Sequence, residues 1–572
     1  MVCSACASTI ETALREVEGV ETASVSLNEE LATVSYDENC ITEDVISAEV
    51  RELGYRPYSN TPENAEYIKR KTLGRFSRSA LLAFVVAVIL SQPVDPVLKL
   101  ILATLSQFAA GWLLYRDAYV GLRRKSLNMS FLVMLSSTSA YVFSIVKLLM
   151  GETDKLFFDS AAMIIAVVLV GKLIEKRAFF YSDSALKSLV GQFDLSGVEI
   201  GQELSVQPGE TIPADGVLLE GVGSVDESVI TGESRLRNVA CGDTVYAGTR
   251  NVFGNFTLRV EKRNEDSLYT GIVNAVRRAM GNKSNLQTMT ERFVAYFCIL
   301  VLGVAVLGTL VWLLFLDPGN VEKALLTGMS VLVIACPCAM GIATPLAVSC
   351  AMDSATHYNI FFKGGKTLEN LSKVDVIAFD KTGTLTKGSS DKGDDTVRPR
   401  TKRVLERLKE LGLSSLIISG DTREETERIA GEVGISRYYA EVQPEGKMSI
   451  IEDLKKDGHE PAMVGDGVND SPALMESSCG IAVGGRTDIA AEVADVVLMD
   501  GTLEHLPDAI RIATVTEHTI RRNLVLSSVY NIIGIGLAVC GILDPVFASL
   551  AMSLSSLSVV ASTKLQERRI RS

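Results

Sequence analysis

Three short runs carry residues whose types and spacing suit one kind of chemistry. "VIAFDKTGT" puts Asp380 at the end of an apolar stretch, followed by small and hydroxylated residues that include Thr382. "IISGDT" puts Gly420 and Asp421 after a second such stretch, and "AMVGDGVND" puts Asp466 and Asp470 after a third. Lys447, in "QPEGKMS", lies between the last two in sequence. Converging carboxylates with a lysine match the needs of phosphoryl transfer. They supply a nucleophile, oxygens to hold Mg²⁺, and an ammonium near the transferring oxygens. Any one of these runs is also an ordinary Asp- and Gly-rich turn; their joint occurrence in this order argues for chemistry.

The elements that must position these groups follow from the pattern around them. Residues 353–515 alternate short apolar runs with amphipathic helical patterns such as "TKRVLERLKELG" and "REETERIAGEVG". That alternation predicts an α/β doubly wound parallel sheet, in which functional side chains gather at the carboxyl ends of strands. Residues 178–290 hold strand-like runs with glycine turns and predict a small β-rich domain.

The rest of the chain is too apolar for a soluble enzyme of its size. Hydrophobic residues make up 47% of it and the mean hydropathy is +0.24. Eight segments predict membrane spans, at 76–93, 97–115, 131–150, 156–174, 293–316, 324–347, 524–543 and 545–561. They group as 72–177, 291–352 and 516–572. Basic residues gather at alternate ends, among them Arg116, Arg123, Arg124, Lys176, Arg177, Arg277 and Arg521. The opposite loops, such as "SQPVDP" and "LDPGNVEK", carry few. The bias predicts an integral membrane protein, in the cell (plasma) membrane, with both termini and both long loops cytoplasmic. Buried helices of a soluble protein are the bland alternative. The net charge of −13 argues against nucleic acid as a partner. "MVCSACAST" opens the chain with no signal-peptide pattern.

A second chemistry sits inside a span. In "VLVIACPCAMGIATP" a mid-span proline removes a helical hydrogen bond and clashes with the preceding turn. Unwound backbone at that depth is tolerated where it lines protein or a site. Cys336 and Cys338 flank the break and form a soft ligand pair, suited to Cu(I) rather than to Mg²⁺ or Ca²⁺. Two small residues around a kink would be the structural alternative.

"DKTGTLT", "SGDT", "MVGDGVND" and the "TGES" at 231–234 resemble the P-type ATPase family, and "CPC" resembles its Cu(I)/Ag(I) branch. The resemblance covers nearly the whole chain. It implies a multidomain membrane protein: eight transmembrane helices, a HAD-like phosphorylation domain and a β-rich actuator domain. It implies that Asp380 becomes an aspartyl phosphate, with Asp421 in the same site. Asp466 and Asp470 would hold Mg²⁺, and Thr382 and Lys447 would contact the phosphoryl group. Glu233 would position the hydrolytic water, and ATP would be the phosphate donor. Cu(I), and with it Ag(I), would be exported cargo. By the same resemblance Tyr530, Asn531, Met552 and Ser556 join Cys336 and Cys338 as transmembrane ligands; Met552 and Ser556, four apart, share a helical face. Met129, Glu175 and Glu291 would form a cytoplasmic loading route, with Glu291 where the family places an aspartate; Asp159 is a weaker candidate for release. "GWLLYRDAYVGLRRKS" is similar to the kinked second span and basic platform of the family, with Ala110–Gly111 in place of its glycine pair.

Residues 1–60 read helix, two strands, helix, and resemble the ferredoxin-like heavy-metal-binding domain, whose C-x-x-C would be Cys3 and Cys6. A cytoplasmic C-x-x-C is also a redox pair in other settings. The family's first strand has no counterpart before Cys3, so either the true start lies upstream or the domain lacks an edge strand. A cytoplasmic copper chaperone is the partner that the resemblance implies.

Two pieces of the family pattern are missing. Between "TLTKG" and "TVRP" the family inserts a nucleotide-binding domain, whereas positions 388–396 here have the composition of a linker. No histidine-proline dipeptide of an adenine site occurs, which puts ATP binding in question. The actuator also lacks a hairpin's worth of sequence before "SVQPGE". A natural or engineered deletion, sequence lost from a gene model, and a relative that has given up ATP all fit; the intact motifs favour the first two. Rival functions are a non-enzymatic membrane copper-binding or sensing protein, a membrane-tethered phosphatase of the same sheet architecture, and a zinc pump. Thr382 stands where small soluble phosphatases carry a second acid. Met552 and Ser556 stand where a zinc site calls for a carboxylate, though Asp544 is near.

Overall fold

The computed structural model of the chain describes residues 4–26, 31–37, 40–58, 62–123, 128–153, 156–182, 199–226, 236–262, 284–386, 396–465, 470–483 and 493–571. The chain divides into two compact units. One comprises Met1–Ser182, Asn285–Ala347 and His518–Gln566; the other comprises Asp183–Ser284, Val348–Glu517 and Glu567–Ser572.

In the first unit, helix Ser4–Arg15, strands β1 (Val20–Ser26) and β2 (Leu31–Tyr36), and helix Glu43–Glu52 form the N-terminal domain. Its two described strands pair antiparallel, over a core that includes Ile10, Leu14, Val25, Ile41 and Leu53. Among the described residues six helices are long and apolar enough to cross a membrane: Arg70–Leu90, Met129–Leu149, Asn285–Leu316, Val321–Thr356, Leu506–Val539 and Pro545–Ile570. The pair Pro96–Ala110 and Trp112–Arg123, bent by 59°, makes seven if it is one span. The remaining expected span, the fourth at 156–174, falls in helix Phe158–Ser182, which is 25 residues long. Its apolar run is interrupted by Asp159, Lys172 and Glu175, which is the physical reason it differs from the others.

The bend has a local cause. A π-helical turn, Leu105–Ala110, precedes Gly111, where a Cβ would lie 2.5 Å from the Gln107 carbonyl oxygen. One glycine therefore suffices for a bend where the family pattern has two. Gln107 is buried, and its amide donates to the hydroxyls of Tyr115 (2.6 Å) and Ser137 (3.1 Å). These bonds tie the bent helix to Met129–Leu149.

The second unit holds two further folds. Strands β3 (Glu203–Val206), β4 (Gly216–Asp226), β5 (Arg237–Ala240), β6 (Thr244–Val245), β7 (Arg250–Phe253) and β8 (Phe256–Val260) form an antiparallel sheet. Val206, Ile212, Leu218, Val225, Phe256 and Leu258 fill its core.

The other fold is a seven-stranded sheet of β9 (Ile360–Phe362), β10 (Val376–Asp380), β11 (Ser414–Ile418), β12 (Arg437–Tyr439), β13 (Pro461–Gly465), β14 (Cys479–Val483) and β15 (Val496–Leu498). Their order is β12-β11-β10-β13-β14-β15-β9, parallel throughout except for the antiparallel edge strand β9. Every residue of β10, β13 and β14 is buried. Helices cover both faces of such a sheet, so its strands read as continuous apolar runs rather than alternating ones.

Candidate functional site: a carboxylate–lysine centre and a buried sulfur cluster

Strands β11, β10 and β13 are neighbours, so their carboxyl ends bring Asp421, Asp380 and Asp470 together. Asp380 ends β10 and is 6% exposed; Asp470 is 1% exposed. Lys447 reaches in from helix Pro444–Lys456. Its Nζ donates to Asp380 Oδ1 at 2.5 Å and to Asp470 Oδ1 at 2.6 Å. Burial alone would lower the lysine's pKa, but the two carboxylates outweigh it and hold the ammonium above its ordinary value. Gly465 makes room for this contact, since a Cβ there would lie 2.4 Å from Asp470 Oδ2.

The loop after Asp380 turns through Thr382 and Gly383, whose φ of 77° lies in the left-handed region that glycine occupies without strain. Thr382 Oγ1 donates to Asp421 Oδ2 at 3.2 Å. Asp421 Oδ2 also faces Lys381 Nζ at 2.6 Å. Burial pushes the Asp421 carboxyl up, but Lys381 and the hydroxyls of Thr382 and Ser419 together hold it below the usual carboxylate range. Lys381 is 1% exposed and was not singled out among the sequence candidates. Its neighbour Asp380 was the only signal pointing to it.

Arg398 is the second residue missed by pattern reading. It donates to the carbonyls of Gly383 (2.5 Å), Thr386 (3.2 Å) and Gly501. Thr386 bridges Val397, and Arg398 N donates to Leu385 O at 2.8 Å. The backbone on either side of 387–395 is thus brought together beside the loop. Those positions, with most of the predicted linker, lie outside the described residues, as do Asp466 and Glu233.

Two carboxylates converge on a single ammonium here. Their hard oxygens are the donor type that Mg²⁺ takes, and their separation, spanned by one nitrogen, suits a small ion.

The apolar helices of the first unit hold the candidate sulfur donors. Helix Val321–Ile334 ends at Ala335 and a new helix starts at Cys338, so the chain is unwound at Cys336 and Pro337 as the sequence predicts. Cys336 and Cys338 are joined by a disulfide in this structure. A thiolate pair able to take Cu(I) is the reduced form of the same two residues. Met129, 209 residues away in sequence, places its Sδ 2.8 Å from Cys338 Sγ. Met552 is buried in the same extended hydrophobic core that also takes in Met129, Cys336 and Cys338.

Asn531 and Ser556 are buried on the two C-terminal helices. Tyr530 is 37% exposed, and its hydroxyl donates to the Ala551 carbonyl at 3.0 Å, next to Met552. Glu175 is buried and ion-paired with Lys172 at 2.7 Å. Glu291 lies on helix Asn285–Val311, with its side chain outside the described residues. The same holds for Cys6 on helix Ser4–Arg15, and Cys3 lies outside them altogether.

Three family models match the chain: the heavy-metal-associated domain at residues 1–56, the P-type ATPase actuator domain at 172–277 and the haloacid dehalogenase-like hydrolase at 389–476. A "Copper-exporting P-type ATPase" of Bacillus subtilis (strain 168) is 32% identical over 711 aligned residues, covering 98% of this chain and 89% of the relative. One of Staphylococcus saprophyticus is 31% identical with the same coverage. Among solved structures, a zinc-transporting PIB-type ATPase in an E2.Pi state matches with a TM-score of 0.53 at 23% identity, over 86% of this chain and all of that one.

Proposed function

This chain belongs to the family of copper-exporting P-type ATPases, and from that premise we propose that it moves Cu(I) out of the cytoplasm through an aspartyl phosphate formed on Asp380. The observation that carries the reading is the Asp380–Lys447–Asp470 cluster at the carboxyl ends of adjacent parallel strands. Asp380 attacks phosphorus with Oδ; the phosphoryl group moves to it as the bond to the leaving oxygen breaks. Lys447, already an ammonium between carboxylates, is placed to meet the negative charge of the incoming oxygens. Thr382 Oγ1 and Lys381 orient the loop by holding Asp421. Mg²⁺, when bound by Asp470 and Asp466, would spread charge over the transferring group. Glu233 would then direct water onto the acyl phosphate.

Cys336, Cys338, Met129 and Met552 supply the soft donors for Cu(I), and Ag(I) has the same preferences. Met552 and Ser556 in place of a carboxylate favour Cu(I) over Zn²⁺. Glu175 and Glu291, on the cytoplasmic side, would load the ion, with a soluble chaperone or the domain holding Cys3 and Cys6 as donor. The positive-inside pattern supports an orientation with both termini and both long loops in the cytoplasm.

How the aspartate is charged follows from what lies between Thr386 and Val397. The 711-residue alignment to the Bacillus relative is longer than the 572-residue chain, and the connecting stretch has linker composition. Both support the absence of a nucleotide-binding domain at that point. We infer that acyl phosphates, which need no adenine pocket, phosphorylate Asp380 in this chain. Incubation with radiolabelled acetyl phosphate tests it: acid-stable label is expected and should vanish in Asp380→Asn. No label above that variant, with Mg²⁺ and Cu(I) present, would refute it. Inserting a nucleotide-binding domain at Gly388 should restore ATP-driven Cu(I) uptake in vesicles, because the two flanks already meet. Copper binding at Cys336 and Cys338 with no phosphoenzyme from either donor would favour the non-enzymatic sensor.

A further inference from the structure

Among the described cysteines, Cys336 and Cys338 are joined to each other and the six others are free, so the bridge belongs to this one turn. Residues two apart on an α-helix do not face each other. The break at Cys336 and Pro337, between the helix that ends before Ala335 and the one that starts at Cys338, lets these two side chains turn toward each other. Their Cα atoms lie 5.5 Å apart, within the span that a disulfide bridges. Both residues are more than nine-tenths buried. Met129 Sδ, 2.8 Å from Cys338 Sγ, adds a third sulfur that takes no part in the bridge. The unwound turn that presents two thiols to a metal ion therefore also presents them to one another.

We infer that the Cys336–Cys338 pair is a reversible oxidation site, and that the bridge and Cu(I) exclude each other at the same two sulfurs. This rests on the reading of the pair as the Cu(I) site. The oxidant is hydrogen peroxide, small and uncharged, which suits entry into an apolar helix bundle. One sulfur attacks a peroxide oxygen; the O–O bond breaks, the sulfur becomes a sulfenic acid and the other oxygen leaves as water. The second thiol then attacks the sulfenic sulfur and expels its oxygen as a second water. Two thiol protons and two electrons thus turn one peroxide into two waters. With the partner two residues away, condensation outruns a second peroxide and spares the sulfur the irreversible sulfinic step. Two equivalents of a small thiol reverse the bridge through a mixed disulfide. In the bridged form neither sulfur is a thiolate, the form that binds metal, and Met129 is left as a lone thioether. Conversely, a metal ion on both thiolates occupies the electron pairs that attack peroxide. The carboxylate–lysine centre has no thiol among its described members, so oxidation closes the metal site and spares the phosphate acceptor.

The test uses the full chain in detergent, with Cys3→Ser and Cys6→Ser included so that copper binding reports on the membrane sites alone. The chain is reduced, exposed to hydrogen peroxide and unfolded in denaturant. Remaining thiols are blocked with N-ethylmaleimide, bridges are then reduced, and the released thiols are labelled with iodoacetamide. Mass spectrometry of the peptide spanning 336–338 should find both cysteines carrying the second label. On the folded chain, Cu(I) binding in competition with bicinchoninate should be lost after peroxide and return after dithiothreitol. Ag(I), which does not cycle with peroxide, should protect both thiols when bound beforehand. In Cys338→Ser the remaining Cys336 has no partner and should go on to sulfinic acid, with no recovery by dithiothreitol.

Four results would each overturn the inference and leave the copper reading intact: thiols of the parent still taking N-ethylmaleimide after peroxide, sulfinic acid in the parent, no protection by Ag(I), or parent-level Cu(I) binding by the bridged chain. If the reduced double variant Cys336→Ser, Cys338→Ser binds Cu(I) as the parent does, the copper reading itself fails, and the exclusion with it, however the labels fall.

Discussion

Replacing Lys447 by methionine keeps the side chain's length and removes its charge, which isolates what the ammonium does. In the folded protein it neutralises Asp380 and Asp470 at 2.5 and 2.6 Å, with both acids more than nine-tenths buried. Without it two carboxylates face each other in a site closed to water. Breaking a buried ion pair costs about 3–5 kcal/mol. We take the lower figure, about 3 kcal/mol, because part of the repulsion is relieved by proton uptake; this is roughly a hundredfold in an opening equilibrium. Hydrogen exchange of the β10 amides, followed by mass spectrometry on the full chain in detergent with EDTA, reads that equilibrium. Exchange should be about a hundredfold faster in Lys447→Met, and Mg²⁺ should restore most of the protection by supplying the missing positive charge. Adding Asp380→Asn should restore part of it without metal. Because the folded lysine's pKa lies above its ordinary 10.5, its contribution is complete below that pH and is lost only as pH rises through the higher folded value. The mutational effect should therefore be constant from neutral pH up to about 10. A change under about threefold in EDTA, or one that Mg²⁺ leaves untouched, would refute the reasoning.

Three further outcomes are expected. Asp421 is held below its ordinary value of 3.8, so its contribution is present above that pH and lost as pH falls through the folded value; denaturation between pH 5 and 2.5 should show the parent losing more stability than Asp421→Asn, as roughly expected for a salt-bridged acid. Gly465→Ala should drive Asp470 aside and raise the Mg²⁺ needed for labelling by acetyl phosphate, while leaving Cu(I) binding unchanged. Met129→Leu keeps the apolar bulk but removes the sulfur beside Cys338, and should weaken Cu(I) binding by about tenfold in competition with bicinchoninate.

The carboxylate–lysine centre was legible because each of its acids announces itself locally. Asp380, Asp421 and Asp470 follow apolar strand runs, and a parallel sheet collects strand ends by construction. Lys381 was not legible, because its importance comes from being buried against Asp421, forty residues on, and no local pattern encodes that. Glu175 stood out as an intramembrane acid, yet its pairing with Lys172 depends on which face of the helix is covered. The meeting of Met129 with Cys338 is likewise a product of tertiary packing. The extent of each membrane span was read from its apolar length, so helix Phe158–Ser182, which carries Asp159, Lys172 and Glu175, fits that measure least well. The bend at Gly111 rests on a π-turn and one glycine where the family pattern has a glycine pair, and a π-turn leaves no signature in the residue types.

The bridge between Thr386 and Val397 also bears on how the sheet forms. Strands β10 and β11 are neighbouring parallel strands, and parallel pairing must wait for the intervening chain to close. In this chain the stretch between Thr386 and Val397 is short and is followed closely by helix Thr401–Glu410. Lengthening such a loop tenfold adds about 2 kcal/mol of closure entropy. Contacts that stay local in sequence also speed folding. The β10–β11 core should therefore nucleate faster here than in a chain that threads a whole domain through the same gap, and Arg398, by fastening the loop's far end to Gly383, is the contact that would lock the nucleus in place.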